Sequence, residues 1–462
     1  MVRRRRSSCD HDMVGTTRDA VERHAMHDLA GSADVRSSSV APTVRSAGKG
    51  GGMSARGRVG IVGGSIGGCA AAVSLSRHGW DVELFERSDN DLVARGAGIA
   101  TSTPLLDALV DRDLIGADLP HFDMGPMRWV SRDERSPAGR VLGSDQAAAP
   151  MSALRWTDLY THLRRRVPPA VYASGHTVVE VEPADRHPSL RLADGTRRQY
   201  DLVVCADGYQ SLGRSTLFPS AALSYRGYVL WRGLVPERSA SGFPTLEDGG
   251  VRCGYLGGHG VFYLVPSPTP ERDGGARDVN WALYLQVPEA DLEATLSDRL
   301  GRSSKGSVAA GMLAADREAA LKSRALELLP EVFARVVDES TDTFIQAIFT
   351  VTVPNYQRGR VCLIGDAGTL YPPFSGSGVI KAIVNAIELA ERLNAAADID
   401  EALAGWNRAQ LRTAATFAAV AQTFERALVF DMPELAEFDD EAFAAWNAAV
   451  NASVPPPPTR GD

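Results

Sequence analysis

The sequence has 462 residues, more than one hydrophobic core of about 250 to 300 residues serves, so two or three domains are expected. Hydrophobic residues at 44% and charged residues at 23% are ordinary for a globular enzyme and exclude a wholly disordered or fibrous chain. A formal net charge of -8 at pH 7 argues against a nucleic acid partner, because non-specific affinity for polyanions comes from clustered Lys and Arg.

In chain order, the first feature is the run Arg3 to Arg6, which would suggest twin-arginine export if an apolar stretch followed; none does. Residues 1–55 are rich in Ser, Gly, Arg, Asp and His without periodicity and are expected to form a disordered extension, with Met53 an alternative start. No apolar run approaches the roughly 20 residues that cross a bilayer, so no membrane partner and a cytoplasmic location are expected. The cysteines Cys9, Cys69, Cys205, Cys253 and Cys362 lie far apart, mostly in apolar runs, with no pair at metal spacing. Buried thiols, a reducing compartment and no metal are the expectation.

Arg58 to Val62 reads as a short buried strand, Gly63-Gly64-Ser65-Ile66-Gly67-Gly68 as a turn, Cys69 to His78 as a helix stopped by Gly79, and Trp80 to Glu86 as a second strand. This is a βαβ unit in which glycines admit a tight turn and the helix N-terminus offers unpaired N–H groups to a pyrophosphate. Glu86, followed by Arg87, lies near the spacing at which a carboxylate takes the adenosine ribose hydroxyls. In the G-x-G-x-x-G pattern the middle glycine is replaced by Ser65, which keeps a hydroxyl able to donate to phosphate.

Further along, Tyr200 to Ala206 is an apolar strand opening into Asp207-Gly208-Tyr-Gln-Ser211-Leu-Gly-Arg214. Residues 224–290 alternate apolar and polar side chains, as in Tyr225-Arg-Gly-Tyr228-Val-Leu-Trp231, the pattern of an antiparallel sheet. Segment 300–340 reads as either a lid or a surface helix pair. Arg360 to Ile364 is another buried strand, ending in Gly365-Asp366-Ala367, then a loop containing Tyr371, Pro373, Gly376, Ser377 and Gly378, and an amphipathic helix from Val379 to about Leu393. Helices are expected at 403–428 and 432–450, before a proline-rich tail.

The Gly63–Gly68 loop, the Asp207-Gly208-x-x-Ser211-x-x-Arg214 stretch and Gly365-Asp366-Ala367, in this order, resemble the single-component FAD-dependent aromatic hydroxylases of the para-hydroxybenzoate hydroxylase superfamily. The Gly-Gly-Ser-Ile loop and the Tyr228-Val-Leu-Trp231-Arg232-Gly233 strand look like its 2,6-dihydroxypyridine hydroxylase-like branch. The similarity implies an α/β chain, α+β overall: a Rossmann-type FAD-binding domain in two pieces, 56–223 and 345–395, an inserted β-sheet substrate domain at 224–344, a helical cap at 396–452 and a disordered tail at 453–462. It implies non-covalent FAD held by Gly63, Gly64, Ser65, Ile66, Gly67, Gly68, Glu86, Arg87, Arg95, Gly98, Arg155, Asp207, Gly208, Arg214, Gly365, Asp366, Gly376, Ser377, Gly378 and Val379. NADPH or NADH would be the reductant and O2 the co-substrate, with a flavin hydroperoxide hydroxylating a small aromatic, N-heteroaromatic or natural-product substrate in a monomer or homodimer.

Four positions depart from the family or carry no clear reading. Relatives place the arginine three residues before a leucine, a position held here by Trp156 ahead of Leu159, so Arg155 is either a flavin contact or a solvated side chain. Ile380 and Asn385-Ala386 stand where relatives have Asn and Asp-Ala. Lys381 reads as solvated. No clear base is visible: His259, Tyr225, Tyr228, Tyr371 and Pro373 are the pocket candidates. The alternatives are the same fold performing epoxidation, Baeyer-Villiger insertion or oxidative rearrangement, or a non-catalytic dinucleotide-binding sensor; the halogenase Trp-x-Trp-x-Ile-Pro segment is absent.

Overall fold

Short apolar runs separated by turn residues assemble into a six-stranded sheet in the order Gln357–Arg358, Val361–Leu363, Leu202–Cys205, Arg58–Val62, Asp81–Phe85, Tyr172–Ala173. All its pairings are parallel except that of Gln357–Arg358 with Val361–Leu363. Register places Val62 beside Cys205 and Cys205 beside Leu363. The three motifs that follow these strands, at Gly63, Asp207 and Gly365, therefore emerge side by side at the carboxyl edge, where ligands of open α/β sheets bind. The strands are near-continuously apolar because helices cover both faces; Val59, Ile61, Leu202, Val204, Val361 and Leu363 are fully buried.

The computed structural model describes residues 56–455 except 91, 93–96, 146–149, 238–245, 247–248, 269–276, 342 and 376–377. The expected N-terminal extension, most of the tail, and the candidate residues Arg95, Gly376 and Ser377 lie outside the described residues. Among the described residues no helix is long and apolar enough to cross a membrane, and the cysteines Cys69, Cys205, Cys253 and Cys362 are buried free thiols.

The second large sheet has eight strands, in the order Ser307–Val308, Phe344–Thr350, Ser224–Pro236, Arg277–Gln286, Gly258–Pro266, Gly250–Tyr255, Met127–Asp133, Ser136–Asp145. It recruits strands from 127–145 and 344–350, so a boundary at residue 224 runs across this sheet. Successive side chains on a strand point to opposite faces, and here the two faces have different partners. Val229, Trp231, Phe262, Leu264, Val279, Trp281 and Leu283 pack with Phe333, Val336 and Leu321 on one side. The alternating set Leu230, Arg232, Val261, Tyr263, Asn280, Ala282 and Tyr284 lines a cavity on the other.

Helices Ala315–Leu328 and Glu331–Glu339 supply that back layer, which makes 315–339 a packed helix pair behind the sheet and not a lid. At the C-terminus the helices run Ile399–Glu425 and Asp440–Ala452. The second starts later than the sequence pattern suggests: Pro433 lacks an N–H to donate, and Asp439 caps the helix by accepting from Ala442 N at 2.8 Å.

Candidate active site

The Gly-rich turn is held in the shape a pyrophosphate needs. Gly63 has φ +99°, and a Cβ there would lie 2.5 Å from the Ala206 carbonyl oxygen; a Cβ on Gly64 would lie 2.4 Å from the Tyr172 hydroxyl oxygen. Ser65 is the extended N-cap of helix Ile66–Arg77 and makes no side-chain cap bond, which leaves the first-turn N–H groups for a ligand. Glu86 is buried and accepts from Gly64 N at 2.8 Å and Ser88 N at 2.9 Å, one bond to each carboxylate oxygen. Each oxygen keeps a second lone pair, so Glu86 both fixes the turn and can still accept a ribose hydroxyl. Arg87 is exposed.

Asp207 and Arg214 do other work than the sequence suggests. Asp207 accepts from Ser211 Oγ at 2.6 Å and Gly213 N at 3.1 Å, which organises the short helix Leu212–Leu217; desolvation pushes its pKa up. Buried Arg214 donates to the carbonyls of Asp366 at 3.1 Å, of Ala367 at 3.2 Å and of Tyr209. Neither side chain lines the cavity: this arginine pins the Gly365-Asp366-Ala367 turn from behind. Gly208 and Gly365 have φ +75° and +60°, in the left-handed region that glycine enters without steric cost. Gly365 N donates to Asn385 Oδ1 at 2.9 Å, so asparagine meets the turn directly and the departure from Asp-Ala leaves it capped. Ile380 is core.

Two arginine and lysine readings change. Arg155 donates to Asp278 Oδ2 at 2.7 Å, with both side chains largely buried; it is neither solvated nor a cavity residue and instead ties the 151–155 strand to the large sheet. Lys381 is buried, not solvated. It donates to Asp366 Oδ1 at 3.1 Å and to the Thr369 carbonyl, lies 4.5 Å from the Tyr371 ring centroid, and has its pKa lowered by burial, which Asp366 partly opposes. Helical spacing could not show this, because the loop that buries Lys381 folds back from residues 366–371.

Asp366, Lys381, Tyr371, Pro373, Gly378 and Val379 all line a cavity of about 450 Å³, together with Gly98–Ala100 and the inner face of the large sheet. Gly98 N donates to Asn280 Oδ1 at 2.8 Å, and Arg232 donates to the Gly98 carbonyl. Asn280 Nδ2 and Arg232 Nε are buried with no hydrogen-bond partner, an arrangement that costs free energy unless a ligand supplies acceptors. The carbonyl-rich edge of an isoalloxazine is such a ligand, so the residues present fit a flavin. Sequence reading missed both side chains, although Arg232 follows Leu230 by the period-2 spacing that puts it on the cavity face.

Deeper in the same cavity His259, Tyr284 and Phe374 form a stack: His259 to Tyr284 at 4.4 Å and 12°, Tyr284 to Phe374 at 5.0 Å and 26°. His259 Nδ1 faces the Leu428 carbonyl at 3.0 Å, which only a donor can do, so the hydrogen sits on Nδ1 and Nε2 keeps its lone pair. Burial, then the Arg252 charge, brings its pKa down to about 3. The other candidates separate. Tyr371 and Pro373 line the cavity. Tyr225 does not, since its hydroxyl donates to the Val287 carbonyl at 2.9 Å; Tyr228 lies behind the wall against Phe374 and Phe430, its pKa raised by burial and then by Glu425. Among the described residues no group of three or more His, Cys, Asp or Glu is placed to hold a metal ion.

Comparison with known proteins agrees with this geometry. Family models match as an NAD(P)-binding Rossmann-like domain over residues 61–91, an FAD binding domain-like region over 225–350 and an FAD binding domain over 313–411. The chain is 28% identical over 361 residues to 2,6-dihydroxypyridine 3-monooxygenase of Paenarthrobacter nicotinovorans, covering 77% of this chain and 87% of that one. The solved structure of 2,6-dihydroxypyridine-3-hydroxylase from Arthrobacter nicotinovorans superposes with TM-score 0.73 at 25% identity, covering 83% of this chain and 94% of that one. The chain belongs to the para-hydroxybenzoate hydroxylase-like superfamily of flavin monooxygenases. Another relative in this superfamily, 6-hydroxynicotinate 3-monooxygenase of Bordetella bronchiseptica, is 27% identical over 344 residues, 73% of this chain and 82% of its own. As a flavin monooxygenase the chain is an oxidoreductase with a Rossmann-type FAD-binding architecture.

Proposed function

We propose that this flavin monooxygenase uses NAD(P)H and dioxygen to hydroxylate a small aromatic or N-heteroaromatic ring that already carries a hydroxyl. The observation that carries the reading is the continuity of one cavity from the flavin-family motifs at Asp366 and Gly98 to the His259-Tyr284-Phe374 stack. Bound FAD supplies the redox chemistry, taking electrons from NAD(P)H and activating dioxygen for transfer of one oxygen atom to the ring.

The residues divide the remaining work. The Gly63–Gly68 turn and the N-terminus of helix Ile66–Arg77 hold the pyrophosphate, Glu86 the adenosine ribose, and Asp366 the ribityl chain. Asn280, Arg232 and the Gly378 helix start present donors to the flavin ring. Aromatic and apolar side chains exclude water from the oxygen-transfer site. His259 accepts a hydrogen bond from the substrate hydroxyl at Nε2 and orients the ring; with a pKa near 3 it does not keep the proton. The same reading takes the protein as a cytoplasmic monomer or homodimer without nucleic acid.

Lys381 gives this reading an electrostatic test. Lys381→Met is expected to keep the fold, with Tm within about 5 °C of wild type, because methionine refills the space and Asp366 is half-exposed to solvent. Losing a buried cation at the cavity wall should make the flavin harder to reduce, since reduced flavin is anionic. Spectroelectrochemical titration of the FAD-loaded variant should show a lower midpoint potential; an unchanged one would place the flavin away from Lys381.

The reading as a whole is tested on purified protein by its visible spectrum and by NADH and NADPH oxidation, hydrogen peroxide release and oxygenated product across a panel of phenols and hydroxypyridines. Substrate-stimulated, coupled turnover is expected. Bound flavin without stimulation by any member would move the substrate to larger or non-aromatic compounds.

A further inference from the structure

We infer that the cavity has a second, polar compartment at its C-terminal-helix end that takes an uncharged hydrogen-bond-donating substituent, such as a carboxamide, attached to the substrate ring. This rests on the proposed hydroxylase reading of the cavity. The compartment is formed where helix Asp440–Ala452 closes over strands Met127–Asp133 and Ser136–Asp145, and Asp145, Arg252, Asn447 and Asn451 all line the cavity there.

Hydrogen bonding decides what this corner presents. Asp145 Oδ2 accepts from Trp129 Nε1 at 2.7 Å and Arg252 Nη1 at 3.1 Å, and Oδ1 accepts from Asn447 Nδ2 at 2.8 Å. The Asn447 amide is thereby oriented, because only its NH2 group can face a carboxylate. Asn451 is oriented by the same logic: its Nδ2 donates to the Asn447 backbone carbonyl at 2.9 Å. Each NH2 group spends one of its two N–H donors in these bonds, and the side-chain carbonyl oxygens remain as acceptors; Asn451 Nδ2 approaches Asn447 Oδ1 only at 3.5 Å.

Charge points the same way. The Arg252 guanidinium is compensated by Asp145 at 3.1 Å, so the corner holds a matched pair and two neutral amides. A carboxylate substituent could take spare amide and guanidinium N–H groups, but it would leave the two carbonyl oxygens without a proton and would face the Asp145 charge; an ammonium would find no uncompensated anion. A neutral donor satisfies both acceptors. Anchoring of the C-terminal helix accounts for Asn447 but not for Asn451, whose hydrogen bonds among the described residues run only to Asn447, one turn earlier on its own helix.

The test titrates FAD-loaded protein with 6-hydroxynicotinamide, 6-hydroxynicotinate and 2,6-dihydroxypyridine and follows the perturbation of the flavin absorption, for wild type, Asn451→Leu and Asn451→Asp. Wild type should bind the carboxamide at least about tenfold more tightly than the carboxylate, the size of one hydrogen bond to an otherwise unpaired group. Asn451→Leu should shrink that ratio and Asn451→Asp should widen it, because the new carboxylate still accepts from NH2 and repels an anion. Equal binding of the two by wild type, or a ratio unchanged in Asn451→Leu, would overturn the inference; the wild-type comparison stands even if a variant loads no flavin. If 2,6-dihydroxypyridine perturbs the spectrum and the carboxamide shows no preference, the compartment alone is refuted. If none of the three perturbs it, the hydroxylase reading fails and the compartment with it.

Discussion

Gly68→Ala is expected to yield protein that holds almost no flavin, whereas Gly67→Ala, one residue earlier, should load normally. A Cβ on Gly68 would lie 1.8 Å from the Gly63 carbonyl oxygen. Both atoms are bound to backbone, so no rotamer relieves the overlap: either the helix backs away from the first strand or the turn changes shape. A Cβ on Gly67 meets nothing closer than the Ala382 Cβ at 3.2 Å and the Ile364 side chain at 3.7 Å, which small shifts accommodate, and alanine favours the helix. The backbone conflict should cost at least about 3 kcal/mol, or about a hundredfold or more in FAD affinity. Fluorescence titration with FAD reads both variants. Equal affinity for the two would mean that the Gly63–Gly68 turn is not the pyrophosphate site.

The second large effect belongs to His259. His259→Phe should keep the stack on Tyr284 and the flavin content while lowering kcat/KM by about ten- to a hundredfold, the effect of leaving one substrate hydroxyl unpaired in a dry site. The same substitution should alter the acid response of stability. The folded-state pKa of about 3 lies below the ordinary histidine value of 6.5, so below pH 6.5 the unfolded chain binds a proton that the folded chain refuses. Wild-type stability from this group is therefore intact above pH 6.5 and falls as the pH drops toward 3, by up to about 1.4 kcal/mol per pH unit. The variant lacks that loss. At pH 7 it should melt lower than wild type, having orphaned the Leu428 carbonyl, and the gap should narrow as the pH falls to 5. A constant gap in Tm between pH 7 and pH 5 would show that His259 is not held neutral.

Much of the cofactor side was legible in the residues because backbone geometry ties it to residue type. Only glycine suits Gly63 and Gly365, and apolar strands capped by Gly or Asp at a common edge announce a parallel sheet. The helix 378–395 and the alternating strands were likewise visible in period. What the pattern could not carry was direction in space. Arg214 occupies a family motif position, yet it acts on the backbone of the neighbouring turn, a role that depends on which strand lies next to which, while Asp207 organises its own turn. Lys381 reads as polar surface until the 366–371 loop folds over it. Arg155 finds Asp278, a residue 123 positions away. The C-terminal helix showed amphipathic spacing, but nothing in that spacing says that Asn447 and Asn451 face a cavity shared with His259.

Isotope incorporation tests the central claim most directly. Purified FAD-loaded enzyme, supplied with NADH or NADPH under 18O2 and offered the hydroxypyridine that best stimulates cofactor oxidation, should give a product heavier by a single 18O atom, bonded to a ring carbon. Product oxygen drawn from water, or cofactor oxidation that ends in hydrogen peroxide with the ring unchanged for every compound tried, would contradict the assignment of this cavity to aromatic hydroxylation.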